Sequence, residues 1–294
     1  MPMNARKPDA PSSNSSLIRI FVSHRIDREN KVLEGSLYVP VRCGAVQDKR
    51  KNVRLQGDDT GKNISHKRDW MSEMTVQYWA WKNVRADFYG LCHYRRYFSF
   101  ADRIFRTDNQ GTVSFRSLES CAQKARLLDT EAAKKKIIPY DLVLTTPFDV
   151  RRHGCQNLYE QFGRSPGLCR EDLLTSADLV KQMHPEYAES LDAYLGGIML
   201  YPCCMFIMKR ELFDAYCEWL FPILFELETR KQLSSSERTL GHIAERLMGV
   251  FAFQMQKKEH LSINILQRCL VLDELSNGQY MAHVVKTELQ KLWS

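Results

Sequence analysis

The chain has 294 residues, of which 44% are hydrophobic and 11% aromatic, and a net charge of +7. That is enough apolar material for one large α/β domain or two small ones. The basic balance suits an anionic substrate, a nucleotide or an acidic membrane surface. Its cations are scattered, with no recognition-helix, zinc-finger or RNP-like pattern, so nucleic acid is not an expected partner.

Nine cysteines, at positions 43, 92, 121, 155, 169, 203, 204, 217 and 269, form no CxxC pair and no regular framework. The N-terminal MPMNARKPDAPSSNSS lacks the apolar core of a signal peptide, and a reducing cytoplasm is the expected compartment. No apolar run reaches about 18 residues, so any membrane association is expected to be peripheral.

Residues 1–16 read as a disordered lead. Leu17 to Ser23 is then a strand of β-branched and aromatic residues, delivering His24, Arg25 and Asp27 at its carboxyl end. Tyr38 to Val41 is a short extended piece that Pro40 assigns to an edge. The polar run that follows holds Gly57-Asp58-Asp59-Thr60-Gly61, a loop that either contacts a metal, ribose or base, or simply forms an Asx-turn. From Asp69 a helix is expected, with Met71, Met74, Tyr78 and Trp81 on one face and Asn83 near its end. Next comes DFYGLCHYRRYFSF, residues 87–100. A buried strand over Phe88–Cys92 ends in His93, Tyr94, Arg95, Arg96 and Tyr97, and strand carboxyl ends are where α/β sheets bind ligands. Guanidinium forks fit phosphate oxygens, while the same cluster can also be a solvated surface.

A basic helix is expected around Leu118–Lys136, and a strand over Tyr140–Thr145 is followed by Arg151, Arg152 and His153. Residues 154–170 read as a loop over the site. Two helices flank His184-Pro185, Cys203–Met208 is a strand, and Arg210–Gln232 is a long helix that Pro222 should kink. Ser234–Ser236 is a loop, and Thr239–Phe253 a helix carrying His242, Glu245 and Arg246. The tail offers one strand and one amphipathic helix. This alternation predicts an α/β fold with a mostly parallel central sheet flanked by helices.

The familiar phosphate loops GxGxxG and GxxxxGK[ST] are missing, as are HExxH and GxSxG. What remains suits glycosyl transfer, which needs charge to offset a departing diphosphate and a carboxylate to receive the acceptor proton.

The order D-[DN]-x-G-x-NIS, E-[LM]-T-x-x-YWAWKN and D-x-x-GLCHYRRYF, continued by YDLVL, HPEY, MFIMKRELFDAYCEWLFPILFELE and AERL, spans roughly residues 18–255. It resembles a bacterial family, first described as a domain of unknown function, from capsule and O-antigen gene clusters. The resemblance implies a single GT-A-like domain over 17–260, with 261–294 as an extension packed on it. It implies a hexosyltransferase moving a sugar from a nucleotide sugar (a UDP-sugar, with galactofuranose among the associated donors) to a glycan or lipid-linked glycan acceptor. Binding without turnover, as an accessory protein, is the alternative.

Carried onto this chain, the resemblance marks Asp59, Asn63 and Ser65 in the first motif, and Trp79, Trp81, Lys82 and Asn83 in the second. In the third it marks His93, Tyr94, Arg95, Arg96 and Tyr97, and in the last helix Glu245 and Arg246. Arg95 and Arg96 are expected to supply positive charge to the diphosphate, and His93 and Tyr94 to line the pocket. Asp59 and Asn63 would meet the ribose or base. His24, Ser65, Trp81, Lys82, Tyr97 and Arg246 complete the substrate-contacting set. Glu245 is the expected general base, an ion pair with Arg246 being its other reading; Asp87 and Asp149 are weaker bases. No metal ligand is assigned, although Mn²⁺ or Mg²⁺ is compatible with the chemistry. Two departures stand out: Cys203-Cys204 where an Asn is expected before MFIM, and Lys67-Arg68-Asp69 in place of an Asn-containing segment.

Overall fold

The computed structural model of the chain describes residues 16–230, 238–273 and 275–292. Residues 1–15 of the expected lead, and the Ser234–Ser236 loop, lie outside these. The strands are β1 (Ile18–His24), β2 (Tyr38–Arg42), β3 (Gln56–Gly57), β4 (Phe88–His93), β5 (Arg96–Phe98) and β6 (Thr112–Phe115). They continue with β7 (Leu142–Thr145), β8 (Phe148–Asp149), β9 (Met199–Leu200), β10 (Phe206–Lys209), β11 (Ile263–Leu266) and β12 (Arg268–Val271). The helices are α1 (Arg68–Met71), α2 (Met74–Asn83), α3 (Leu118–Lys124), α4 (Thr130–Ile137) and α5 (Leu158–Gly163). After them come α6 (Arg170–Met183), α7 (Ala188–Leu195), α8 (Arg210–Arg230), α9 (Thr239–Glu259) and α10 (Asn277–Leu292).

Ten strands form one mixed sheet with the central order β11-β7-β10-β4-β1-β2-β3. β1 runs parallel to β2 and β4, whereas β10 is antiparallel to both β4 and β7. The α/β architecture with helices on both faces is the one the alternating sequence pattern predicts. Side-chain alternation feeds two cores. Phe21, Tyr89, Leu91, Leu142, Leu144 and Phe206 join the core beneath α2 and α6–α9. Ile18, Ile20, Val22, Phe88, Val143 and Ile207 join the core with α3 and α4. Pro40 is paired with β1 alone, since β3 meets β2 only at Val41 and Arg42, so its missing N–H costs the ladder nothing.

Several expectations are corrected. The helix from Asp69 is broken at Ser72, which has φ 49°, separating α1 from α2. The basic helix is two helices, capped by Ser117 and Asp129 and divided at Arg126 with φ 54°. Residues 154–170 contain α5, capped by Asn157, rather than loop alone. Cys203 and Cys204 form a turn with φ 69° and 49°, and the strand begins only at Phe206. Two tail strands extend the main sheet instead of one: β11 beside β7, and β12 between β5 and β6.

The first motif forms a knot of buried hydrogen bonds. Asp58 is fully buried, and its carboxylate accepts from Gly44 N (2.8 Å), Ala45 N (2.9 Å), Ser65 Oγ (2.5 Å) and Thr75 Oγ1 (2.6 Å). Asn83 clamps the next turn, accepting from Lys62 N and donating to Lys62 O and Trp79 O. Gly61 faces that clamp with φ +56°, and a Cβ there would stand 2.0 Å from Asn83 Oδ1. Only glycine fits.

His24 closes β1 at 3% exposure, and burial, assisted by the charge of Arg50, pushes its imidazole from 6.5 down to about 4. The folded protein therefore carries a neutral His24 where the unfolded chain already binds a proton. The stability from this difference is complete above pH 6.5, declines as pH falls towards 4, and amounts to about 3 kcal/mol. His24→Asn should flatten the dependence of the urea midpoint on pH between 7 and 4.5; an unchanged slope contradicts this account. Asp58→Ala leaves four buried donors unanswered and should cost at least about 3 kcal/mol in urea unfolding.

Candidate active site

β1, β2 and β4 point their carboxyl ends to one edge of the sheet, and a cleft of about 420 Å³ opens there. Ser23, Arg25 and Asp27 enter it from β1, Cys43 from β2, and His93, Tyr94, Arg95 and Arg96 from β4. The break between α1 and α2 adds Arg68, Asp69, Ser72 and Glu73, and the start of α9 adds Arg238 and His242.

Five arginines thus face three carboxylates. Arg25 and Arg68 share Asp27, the second at 3.1 Å, and the Arg25 guanidinium holds Asp27 down at about 2. Arg238 is anchored through Nε to Ser72 Oγ at 2.9 Å and through its backbone N–H to Asp69 O. The Arg95 guanidinium lies 5.6 Å from the Tyr94 ring centroid. Among the described residues, no three His, Cys, Asp or Glu side chains converge as a metal-holding group. The side chains that offer charge to an anion here are guanidiniums, whose fork suits two oxygens at once.

An acid–imidazole chain closes the far wall. His93 Nε2 lies 2.6 Å from Cys203 O. A carbonyl only accepts, so this contact assigns the proton to Nε2. The same nitrogen is 3.9 Å from Glu73 Oε1. Cys203 N donates to Glu245 Oε2 at 2.6 Å, and Glu245 Oε1 is bound by Arg246 Nη1. Arg246 is buried, donates to Gln161 Oε1 at 2.6 Å and lies over the Phe162 ring. Burial lowers the basicity of both His93 and His242, although Glu73 and Glu245 pull the other way. Both imidazoles are neutral at pH 7.

Of the expected site residues, the cleft gathers His93, Tyr94, Arg95 and Arg96, with Glu245 and Arg246 behind the Cys203 turn. The others stand elsewhere. Asp59 is exposed, and Asn63 Nδ2 donates to Asp59 O and Gly61 O within its own turn. Ser65 is spent on Asp58 and on Val46 N. Trp81 stacks on Phe221 at 5.7 Å beneath the Lys82 ammonium, which is 3.0 Å from its centroid. Tyr97 is fully buried and donates to Tyr94 O, while His24 is buried beside Tyr94. Asp87 binds Leu17 N and Arg210 at the amino end of β4, and Asp149 is paired with Arg151.

The cleft also holds residues the sequence reading did not select: Glu73, Arg68, Arg238 and His242. Glu73 was visible as the first letter of the second motif. Arg68 occupies the departing Lys67-Arg68-Asp69 segment. Nothing in the sequence ties Arg238 and His242 to the cleft, because their approach depends on how α9 docks against α1.

No curated protein matches the chain. Among solved structures it is similar to the apo form of WbbM, a bifunctional glycosyltransferase, with a TM-score of 0.81 and 30% identity over 87% of this chain. The chain spans 45% of that protein's length, less than half of it. The family model described as "Domain of unknown function (DUF4422)" matches residues 19–258, and the chain belongs to that family.

Proposed function

We propose that this chain is a glycosyltransferase that moves a hexosyl group from a nucleotide diphosphate sugar, a UDP-sugar in the first instance, to a glycan acceptor of a cell-surface polysaccharide. The observation that carries this reading is the cleft itself, five arginines and a half-buried acid–imidazole chain at the carboxyl ends of β1, β2 and β4. Likeness to a glycosyltransferase at 30% identity supports the reaction class. The GT-A designation and the cytoplasmic donor pool belong to the same proposal.

In direct displacement the acceptor hydroxyl forms a bond to the anomeric carbon as the bond from that carbon to the diphosphate oxygen breaks. The hydroxyl proton passes to a carboxylate, and the nucleoside diphosphate departs with the bonding pair. Arg95 and Arg96, with Arg25 and Arg68, supply fixed positive charge to the departing oxygens. Of the three carboxylates that line the cleft, Asp27 and Asp69 lie against Arg25 and Arg68, whereas Glu73, its side chain 12% exposed, has His93 beside it. We assign it the proton-accepting role. Glu245 already accepts on both oxygens, from Cys203 N and Arg246, and acts through the Cys203 carbonyl on His93 as a positioning residue.

Thermal-shift screening against UDP, GDP, CMP and TDP sugars should show stabilisation by a UDP-sugar that EDTA leaves unchanged. Arg95→Ala should abolish it, and unchanged affinity in that variant contradicts the diphosphate assignment. Glu73→Gln should lower turnover by about 10²–10⁴ with donor affinity retained. Glu245→Gln should lower turnover less and shift the His93 imidazole signal in NMR. If Glu245→Gln is the dead variant and Glu73→Gln is active, the roles are reversed. Donor binding with no turnover by the unmodified chain would assign it the accessory role.

A further inference from the structure

A second surface lies away from the cleft, on the side of β6, β12 and α10. Ile104 is 89% exposed, the highest value of any large hydrophobic residue described, and exposed arginines 103 and 106 stand on either side of it. Beside them a groove of about 300 Å³ is lined by Arg103, Arg106, Arg116 and Lys124 and by no carboxylate. Of the acids that flank residues 103–106 in sequence, Asp102 pairs with Arg126 and Lys136, and Asp108 accepts from the backbone N–H groups of Gln110 and Thr112.

α10 lies against this groove. His283 Nε2 is 3.0 Å from Ser114 Oγ, the Arg116 guanidinium lies 5.2 Å from the Tyr280 ring, and Arg116 also donates to Asn277. That fixes the inner face of the helix. One turn apart on another face, Met281 and Val285 are 58% and 52% exposed.

We propose that residues 103–106 and α10 form a docking face for a membrane surface carrying anionic lipid headgroups. An isoleucine set between two arginines can enter the acyl boundary while the guanidiniums meet headgroup phosphates, and an apolar helix stripe adds buried area alongside. The charge selects this occupant over a second copy of the chain, because a two-fold contact would set the same arginines against each other. β12, at the base of this face, is bonded to β5 at Arg96, a residue of the cleft. Docking would therefore hold the cleft at the bilayer. The inference stands apart from the transferase reading, since it uses neither the cleft chemistry nor its ligands.

The test is co-sedimentation of the full chain with phosphatidylcholine vesicles and with mixed phosphatidylcholine–phosphatidylglycerol vesicles, alongside light scattering of the free protein. The chain should pellet with the mixed vesicles and not with the neutral ones, and raised salt should release it. Replacing both Arg103 and Arg106 by Ala should weaken binding about thirtyfold. Ile104→Ser and Val285→Ser should each weaken it with no change in melting temperature, since both sites are exposed. Absence of binding to the anionic vesicles, or equal binding to both kinds, overturns the proposal. So does a dimer that Val285→Ser dissociates, which would give the face to a second copy.

Discussion

The carboxylate of Asp58 receives four hydrogen bonds from three separate pieces of chain, and the cleft depends on that convergence. Gly44 and Ala45 belong to the turn after β2, Ser65 to the segment before α1, and Thr75 to the first turn of α2. A buried carboxylate needs its lone pairs answered, and these donors answer them without a cation. The result fixes Cys43 against the α1–α2 break, where Cys43 Sγ donates to Ser72 O at 3.2 Å. Glu73 follows immediately. The position of an acid in the cleft is thus set by a carboxylate that has no access to it.

Backbone conformation carries the same message on the opposite wall. Cys203 and Cys204 both adopt positive φ, a region that a side chain with a Cβ enters at a cost and that suits Asn or Gly better. The turn is held because its own backbone groups are used: Cys203 N binds Glu245 and Cys203 O binds His93. The absence of an Asn here, one of the two departures in the sequence, is a change at a position whose backbone does the bonding. Strain in this turn is offset by the two hydrogen bonds it offers the site.

The sheet was legible because buried strands such as Phe88–Cys92 and Leu142–Leu144 are short, apolar and bounded by polar groups. The HYRR segment was legible as a site because strand ends in α/β folds project into clefts. The YWAWKN motif was legible as part of a helix face and, through the resemblance, as a set of site candidates; in the structure Trp79 Nε1 binds Thr60, Trp81 stacks on Phe221, and Asn83 clamps Lys62. Periodicity could not separate α1 from α2, because Met71 and Met74 are both fully buried whether or not Ser72 breaks the helix. Arg238 and His242 were hidden for another reason. Their place in the cleft is a long-range contact, with Arg238 reaching Ser72 across 166 positions of sequence.

The same cleft divides its polar groups by how they respond to pH. Arg25 and Arg68 share Asp27, and Arg68 also lies 3.7 Å from Asp69, while the cleft as a whole sets five guanidiniums against three carboxylates. Guanidiniums do not lose their protons in the range where proteins are stable, and the potential they create is therefore fixed. His93 and His242 behave oppositely, since burial lowers the basicity of both, and His93 Nε2 is left to donate to Cys203 O rather than to add charge. Under the proposed function a diphosphate would meet a field that does not change as protons move. In the proposed reaction the acceptor proton goes to Glu73, a group distinct from the guanidiniums that would meet the leaving oxygens, while His93 stays a hydrogen-bond donor to Cys203 O. On that reading, one small cleft separates the charge that would hold an anion from the group that would take a proton.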